Sequence, residues 1–193
     1  MKNIKIKVEV SARHAHLSKV DLEKLFGEGY ELKPTKELSQ EGEFAAEETV
    51  TLVGPKRSLE KLRIVGPARS ETQVELAYTD CFSLGIEAPL RLSGDVEGSA
   101  GAKLAGPAGE ADLDEGVIAA KRHLHLNEKE AKRLNLKNDD SVRVKVGGER
   151  GLIFDNVAVR IKSNFKMSVH IDTDEANAAG LGKVCGFGEL ILE

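Results

Sequence analysis

Hydrophobic and polar residues alternate along many short segments of the chain. Near the N-terminus, β-branched residues alternate with charged ones in IKIKVEV (4–10), and the same pattern returns in DSVRVKVGG (140–148). A period of two predicts strands with one buried face. Other β-rich runs are EETVTLVGP, KLRIVGP, TQVELAY, DNVAVRIKS and KMSVHI. So many short strands, several of them broken by Gly-Pro turns, predict a mainly β fold built as barrels or sandwiches.

Short helices are predicted between the strands. Ser18 and Asn127 are typical N-cap residues with acidic residues in the turn that follows, and Gly27 is expected to end the first helix. The dipeptide Thr-Asp at 79–80 and again at 173–174 is expected to open a shorter helix, which a glycine at 85 or 180 closes.

The chain contains an internal repeat. RHAHL (13–17) returns as RHLHL (122–126), and VELAYTDCFSLGI (74–86) resembles VHIDTDEANAAGL (169–181), which aligns Glu75 with His170. A duplicated unit of about 75 to 110 residues, made of a strand, the HxH motif, a helix and a barrel, explains this pattern. The glycine-rich segment 93–116 lies between the matching parts. It is predicted to be irregular and either to wrap a ligand or to act as a linker.

The histidines predict two metal sites. Residues i and i+2 of a strand point to the same side, so each HxH motif delivers two imidazoles together. With the aligned third position there are two candidate triads: His14, His16 and Glu75, and His123, His125 and His170. Five imidazoles favour Zn²⁺, Co²⁺ or Fe²⁺ over Mg²⁺ or Ca²⁺. If the halves pack about a pseudo-twofold axis, the triads would share one two-metal centre, in which Glu75 and His170 give the metals unequal charge and unequal roles.

Arg69 is a candidate anion-binding residue. It lies six residues before Glu75 in PARSETQVE, so in an extended chain the even spacing would put both side chains on one side. A guanidinium beside a dication suits a phosphate group, although spacing alone is more simply explained by a surface arginine in a loop. Further cations of this half, which form either a polyanion site or a solvated face, are Lys36, Arg57, Lys61 and Arg63.

Composition and charge exclude several classes of protein. The net charge is −4, aromatic residues make up 4% of the chain and tryptophan is absent, so no nucleic-acid-binding surface is expected. No apolar stretch approaches the roughly 20 residues that span a bilayer, and the N-terminus does not resemble a signal peptide. Cys81 and Cys185 are isolated, which is typical of a reducing compartment. We therefore expect a cytoplasmic protein whose partners are small molecules.

Several motifs together resemble one known family. They are, in chain order, SARHAHLS, GEFAAEETVTLVGP, ARSETQVE with TDCFSLG, SGDVEGSAGAKLAGPAG, RHLHL and VHIDTDEANA. In this order and at these spacings they are similar to the PduL-type phosphotransacylases (phosphate propanoyltransferases). The resemblance implies a zinc-dependent enzyme that moves an acyl group between coenzyme A and phosphate.

The resemblance also implies a fold and a set of site residues. Two β-barrels capped by short helices are expected, with residues 13–120 forming a central barrel and residues 1–12 joining 121–193 in the second, so that the N-terminal strand crosses into the C-terminal barrel. Two Zn²⁺ ions would lie in the cleft between them, bound by the six residues of the two triads, with phosphate on Arg69. The family's coenzyme A contacts fall on Ser11, Lys36, Arg63 and Asn177.

A homodimer that uses acyl-CoA, phosphate and acyl phosphate is implied by the same resemblance. Family members enclosed in bacterial microcompartments carry an N-terminal extension that directs encapsulation, whereas here only thirteen residues precede His14. A free cytosolic enzyme is therefore expected, with either acetyl-CoA or propanoyl-CoA as its substrate.

The expected reaction is acyl-CoA + phosphate ⇌ acyl phosphate + CoA. No Ser-His-Asp or Cys-His arrangement is evident, which favours direct attack by metal-bound phosphate over a covalent intermediate. Arg69 and the all-histidine site would hold phosphate, while the other metal polarises the carbonyl or receives the thiolate. The alternatives are a metal-dependent thioester or amide hydrolase, and a non-catalytic module that binds zinc and coenzyme A.

Overall fold

The computed structural model describes residues 4–182 and 185–192. The chain divides into two compact units. We call residues 13–120 the central barrel, and residues 1–12 with 121–193 the terminal barrel. Both are mainly β with a few short helices, which confirms the predicted fold class. Within the described ranges, no helix is long and apolar enough to cross a membrane.

The elements are short throughout. In chain order the strands are β1 (Ile4–Val10), β2 (His14–His16), β3 (Pro34–Glu37), β4 (Phe44–Val53), β5 (Ser58–Gly66), β6 (Gln73–Leu76), β7 (Leu90–Arg91), β8 (Ala100–Ala105), β9 (Glu110–Ala120), β10 (His123–Leu126), β11 (Ser141–Val146), β12 (Leu152–Ile161), β13 (Ser168–Ile171) and β14 (Gly186–Ile191). The helices are α1 (Lys19–Phe26), α2 (Tyr78–Leu84), α3 (Glu128–Leu134) and α4 (Thr173–Ala178).

Each unit contains a closed ring of six strands. In the central barrel the order is β2-β5-β4-β8-β9-β6, and β6 pairs again with β2. In the terminal barrel it is β10-β12-β11-β14-β1-β13, and β13 pairs again with β10. The short strands β3 and β7 lie outside the central ring and pair with β4 and β9. Closure gives every ring strand two partners and leaves no open edge in the ring.

The two rings share one pairing pattern, as expected for a duplication. In the central ring, the HxH strand β2 pairs in parallel with β5 and antiparallel with β6, and β6 pairs in parallel with β9. In the terminal ring, the HxH strand β10 pairs in parallel with β12 and antiparallel with β13, and β13 pairs in parallel with β1. Strand β9 thus occupies in the central ring the place that β1 occupies in the terminal ring. Strand β1 belongs to the terminal ring but directly precedes β2 of the central ring, and β9 belongs to the central ring but directly precedes β10 of the terminal ring. Each HxH strand therefore follows a strand of the other barrel. The predicted crossing of the N-terminal strand is confirmed, and β9 makes the reciprocal exchange.

The residues of the HxH motifs fall on two faces of their strands. Ala15, between His14 and His16, and Leu124, between His123 and His125, are fully buried in the hydrophobic cores of their barrels. Side chains alternate between the faces of a strand, so the histidines point to the opposite face from the core. The strands therefore serve both to pack the barrels and to present the imidazoles.

The predicted helix ends are mostly confirmed. The Asp21 backbone N–H donates to Ser18 Oγ (3.1 Å) and the Glu130 N–H donates to Asn127 Oδ1 (3.0 Å), as N-caps require. Helix α1 ends at Gly27 and α2 at Gly85, which has the left-handed φ of 74°. The predicted start at Thr173-Asp174 is confirmed, because α4 begins at Thr173 with Asp172 as its N-cap, whereas α2 begins one residue before Thr79. The N-cap residue of α2 is Ala77, whose side chain cannot accept a hydrogen bond. Its backbone N–H donates to the carboxylate of Asp80, three residues further along the chain.

The prediction that segment 93–116 is irregular is wrong. Strand β8 and the first half of β9 lie within it and pair antiparallel. Its glycines permit close contact between backbones: a Cβ on Gly101 would lie 2.6 Å from the Leu113 carbonyl oxygen, and one on Gly116 2.7 Å from that of Thr72. Glycine is a poor strand former in general, which misled the sequence interpretation, but it also marks places where another backbone approaches a strand.

Leu124→Ala is expected to lower the free energy of unfolding by about 2–5 kcal/mol, because it leaves a cavity in the terminal core. Urea denaturation followed by circular dichroism measures this change. The matched control is Ile153→Ala on β12 of the same barrel, where the side chain is 51% exposed and the expected change is below about 0.5 kcal/mol. Similar changes for both variants would contradict the inward orientation of Leu124.

Candidate functional site

Strands β2 and β6 bring the first triad together in the central barrel. His14 and Glu75 are direct cross-strand partners, and His16 lies two residues along β2 on the same face. The Nε2 atoms of His14 and His16 are 3.1 Å apart, and they lie 3.8 and 4.0 Å from Glu75 Oε1. His16 and Glu75 are buried. Three donor atoms therefore converge on one point from two neighbouring strands.

His16 is held in the form that binds metals. Its Nδ1 donates to the Val65 carbonyl oxygen (3.0 Å), which leaves the Nε2 lone pair facing the triad. Burial, followed by the proximity of His14 and Arg69, lowers the pKa of His16 to about 3. The imidazole is therefore neutral at pH 7, as metal coordination requires.

A polar network links Glu75 to Arg69. Gln73, two residues before Glu75 on β6 and buried, donates from Nε2 to Glu75 Oε1 (2.6 Å) and to Ser93 Oγ (2.9 Å). Arg69 donates from Nη1 to the same Ser93 oxygen (3.3 Å) and from Nη2 to Glu43 Oε1 (3.1 Å). The sequence interpretation missed Gln73 and Ser93. The available signal was the spacing of Gln73, which puts it on the same face of a strand as Glu75.

The second triad has the same construction in the terminal barrel. His123 and His170 are cross-strand partners on β10 and β13, the counterparts of His14 and Glu75. The ring centroids of His123 and His170 lie 5.3 Å apart, and that of His125 lies 4.5 Å from the first and 4.6 Å from the second. His123 Nδ1 donates to the Lys121 carbonyl oxygen (2.9 Å). Burial, followed by the neighbouring histidines, lowers the pKa of His125 well below its usual value.

The donor atoms of both triads fit a metal ion. Ligands on a tetrahedral zinc ion, with bonds of about 2.0–2.1 Å, lie about 3.3 Å apart, and the three distances of the first triad bracket this value. In the second triad all three ligand atoms lie within 4.8 Å of one another. Among the residues that the structure describes, His125 Nδ1 is buried and has no hydrogen-bond partner, which is costly for a polar atom unless something else contacts it. Each triad could therefore hold a divalent transition metal.

In each barrel an ion pair joins the residue before the HxH strand to the helix that follows the third triad residue, which is α2 in the central barrel and α4 in the terminal barrel. Arg13, directly before His14, lies 2.6 Å from Asp80 in the first turn of α2. Arg122, directly before His123, makes the matching 2.6 Å contact with Glu175 in the first turn of α4. The sequence interpretation quoted the arginine of RHxHL without assigning it a role. Its duplication together with the acidic residues was the available signal.

Arg69 and Glu75 do not lie on one extended strand, as their even spacing had predicted. Residues 70 and 71 form a bend and residue 72 is not part of a strand, so even spacing along an extended chain does not apply. Arg69 instead forms an isolated bridge to Ser18, and its N–H donates to the Leu17 carbonyl oxygen (2.8 Å). Its charge nevertheless contributes to the low pKa of His16, and its guanidinium reaches Glu75 through Ser93 and Gln73.

The candidate coenzyme A contacts lie in both units. In the central barrel, Lys36 is exposed on β3, and Arg63 on β5 is the register partner of His14. One guanidinium nitrogen of Arg63 donates to two main-chain carbonyl oxygens at 2.8 Å. In the terminal barrel, Asn177 is exposed on α4, and the Ser11 N–H donates to the Ile171 carbonyl oxygen (2.8 Å).

Comparisons with known proteins agree with the resemblance seen in the sequence. Residues 7–182 match the family model described as phosphate propanoyltransferase. A protein of that name from Thermotoga maritima is 54% identical over 90% of this chain and 83% of its own length. Others from Clostridioides difficile and Salmonella typhimurium are 48% and 47% identical, covering 92% and 99% of this chain and 85% and 91% of their own lengths. The chain therefore belongs to the phosphate propanoyltransferase family of acyltransferases.

Proposed function

We propose that the chain catalyses the reversible transfer of a short acyl group between coenzyme A and inorganic phosphate. The observation that carries this proposal is the 54% identity, over 90% of the chain, to a relative named phosphate propanoyltransferase. The central barrel supports it, because a largely buried triad of possible metal ligands lies close to an arginine suited to phosphate.

Each triad is proposed to bind one Zn²⁺ ion, giving two per chain. The neutral imidazoles, the Glu75 carboxylate and the donor distances suit zinc better than a metal that prefers only oxygen ligands. When bound, zinc supplies Lewis acidity for a carbonyl or phosphoryl oxygen and affinity for a thiolate.

Arg69 is proposed to hold the attacking phosphate. Its guanidinium can pair bidentately with two phosphate oxygens and reduce the repulsion between phosphate and the phosphates of coenzyme A. In the forward direction a phosphate oxygen bonds to the thioester carbon, the C–S bond breaks and coenzyme A leaves as the thiolate. Phosphate is already ionised at neutral pH, so this step needs no strong general base.

Ser11, Lys36, Arg63 and Asn177 are proposed as coenzyme A contacts. Lys36 and Arg63 carry charges that suit its phosphate groups, and Ser11 and Asn177 offer hydrogen bonds. The predicted homodimer and the cytoplasmic location stay predictions. Tyr78 and Phe82, which are one helical turn apart on α2 and 54% and 79% exposed, form an apolar surface that a second copy would bury.

The release of coenzyme A from acetyl-CoA, measured with and without phosphate, tests the proposed function. Phosphate-dependent release accompanied by acetyl phosphate supports acyl transfer. Phosphate-independent release would indicate a thioester hydrolase, and no release with retained binding would indicate a non-catalytic module. Rates with acetyl-, propanoyl- and butanoyl-CoA then give the acyl-chain preference.

Glu43→Gln is expected to lower the KM for phosphate by about 1.5- to 5-fold. The Glu43 carboxylate lies 3.1 Å from Arg69 Nη2 and competes with phosphate for the guanidinium, and a partly exposed ion pair of this kind is worth about 0.2–1 kcal/mol. Initial rates at varied phosphate concentration measure the effect. Glu41→Gln, at an exposed carboxylate in the same loop, is the control, and a rise in the KM for Glu43→Gln would contradict the competition.

A further inference from the structure

A carboxylate stands beside the all-histidine triad. Strand β1 pairs in parallel with β13 so that Glu9 is the direct register partner of His170. Glu9 Oε2 lies 3.2 Å from His170 Nε2, and Glu9 is only 9% exposed. Sequence alternation along β1 assigned Glu9 to the polar face of the strand and gave it no role. The structure shows that this face carries the site.

The central barrel has no carboxylate at the corresponding place. There, β9 pairs in parallel with β6, and the partner of Glu75 is Ile118, which is fully buried. The duplicated sites therefore differ in the third triad residue and in its register partner on the neighbouring strand. The central site has a carboxylate within its triad and an aliphatic neighbour, whereas the terminal site has a third imidazole and a carboxylate neighbour.

The second oxygen of Glu9 is also engaged. Lys7 lies two residues before Glu9 on the same face of β1, and its Nζ forms an ion pair with Glu9 Oε1. The hydrogen bond from Lys7 to Glu9 raises the pKa of Lys7. The Glu9 carboxylate thus contacts the exposed Lys7 ammonium through one oxygen and His170 through the other. These two contacts orient the carboxylate.

The contact with Glu9 fixes which nitrogen of His170 carries the proton. A carboxylate oxygen only accepts, so Nε2 is the protonated atom and donates to Glu9, which leaves the lone pair on Nδ1. His16 and His123 have the opposite arrangement, because in each the Nδ1 donates to a main-chain carbonyl oxygen and Nε2 keeps the lone pair. His170 therefore differs from His123 of its own triad, and from His16 of the other, in the atom it can offer to a metal.

We propose that Glu9 is the positioning residue of His170 in a carboxylate–histidine–metal arrangement. Glu9 holds the His170 ring so that Nδ1 is the atom that binds the metal, and it makes the imidazole a stronger electron-pair donor to that metal. It also brings a negative charge next to a site whose three ligands are all imidazoles, so the net charges of the two sites differ less than Glu75 and His170 alone would make them. This inference rests on the metal sites proposed above and adds a role for a residue outside both triads.

The test is the zinc affinity of the terminal site, measured by competition with a chromophoric chelator. Glu9→Ile, which introduces the residue found at position 118, is expected to weaken zinc binding at this site by about 10- to 100-fold. Glu9→Gln keeps an acceptor oxygen and is expected to have a smaller effect. Glu189→Gln, at an exposed carboxylate on the adjacent strand β14, is the matched control and should leave the affinity unchanged. Thermal unfolding of the metal-free variants verifies that the barrel is intact.

A second readout reports the ligand atom directly. In the ¹⁵N spectrum of the zinc-loaded protein, His170 is expected to show a protonated Nε2 and a ligated Nδ1, while His16 and His123 show the reverse. An unchanged zinc affinity in Glu9→Ile, or ligation of His170 through Nε2, would overturn the role of Glu9 while leaving the metal sites standing. A wild-type chain that binds no zinc at the terminal triad would overturn both proposals.

Discussion

His16→Ala is expected to remove one of the two proposed metal ions and to lower kcat by about a thousand-fold. His16 is 2% exposed, its Nδ1 is fixed by Val65, and it supplies one of only two imidazoles in the central triad. A metal ion is worth several kcal/mol of charge stabilisation in the transition state, and each 1.36 kcal/mol is a factor of about ten in rate.

Metal content by mass spectrometry and kcat by coenzyme A release are the two measurements. His125→Ala is the matched variant in the terminal barrel and is expected to remove the other ion, so that the double variant binds none. A His16→Ala protein that retains two ions would contradict the assignment of a metal to the central triad, and one that loses an ion while keeping full activity would contradict the catalytic role of that metal.

Arg69→Ala is expected to raise the KM for phosphate by about 10- to 100-fold while changing the KM for acyl-CoA little. A hydrogen bond to a charged group is worth about 1.5–3 kcal/mol, and 1.4 kcal/mol corresponds to a factor of ten. Arg69→Lys should recover only part of the loss, because an ammonium keeps the charge but not the bidentate fork. Initial rates over a grid of both substrate concentrations separate the two constants.

Arg57→Ala provides the control for removing a cation from the central barrel. Arg57 is exposed immediately before β5, outside the network that links Arg69 to Glu75. If Arg57→Ala and Arg69→Ala raised the KM for phosphate equally, general electrostatic attraction would explain the effect. A normal KM for phosphate in Arg69→Ala would remove Arg69 from the phosphate site.

Local patterns predicted much of the fold. Alternation identified most strands of both rings, and Ser18 and Asn127 marked two helix starts, because these features depend on a few neighbouring residues. The glycine content led to a wrong prediction for strands β8 and β9. Glycine is required at 101 and 116 because a backbone segment distant in sequence lies against each position. Composition cannot reveal such a contact.

The candidate site was predictable where the duplication repeats it. Aligning the two halves matched Glu75 with His170, and in the structure each pairs across strands with the first histidine of its own HxH motif. Gln73 and Glu9 were missed because neither is repeated: the counterparts are Ser168 and Ile118. Their roles depend on cross-strand neighbours, and strand register is not visible in one sequence.

The exchange of strands also sets an order of events during synthesis. All strands of the central ring lie between residues 14 and 120, so that barrel can close as soon as β9 has left the ribosome. Strand β1 emerges first of all but needs β13 and β14, which end near residue 191. At about 5–20 residues per second, it waits roughly 9 to 36 seconds with its edges unpaired. The charged residues that alternate along β1 would discourage mispairing during that interval, so the strand that carries Glu9 to His170 also has to stay soluble until its partners exist.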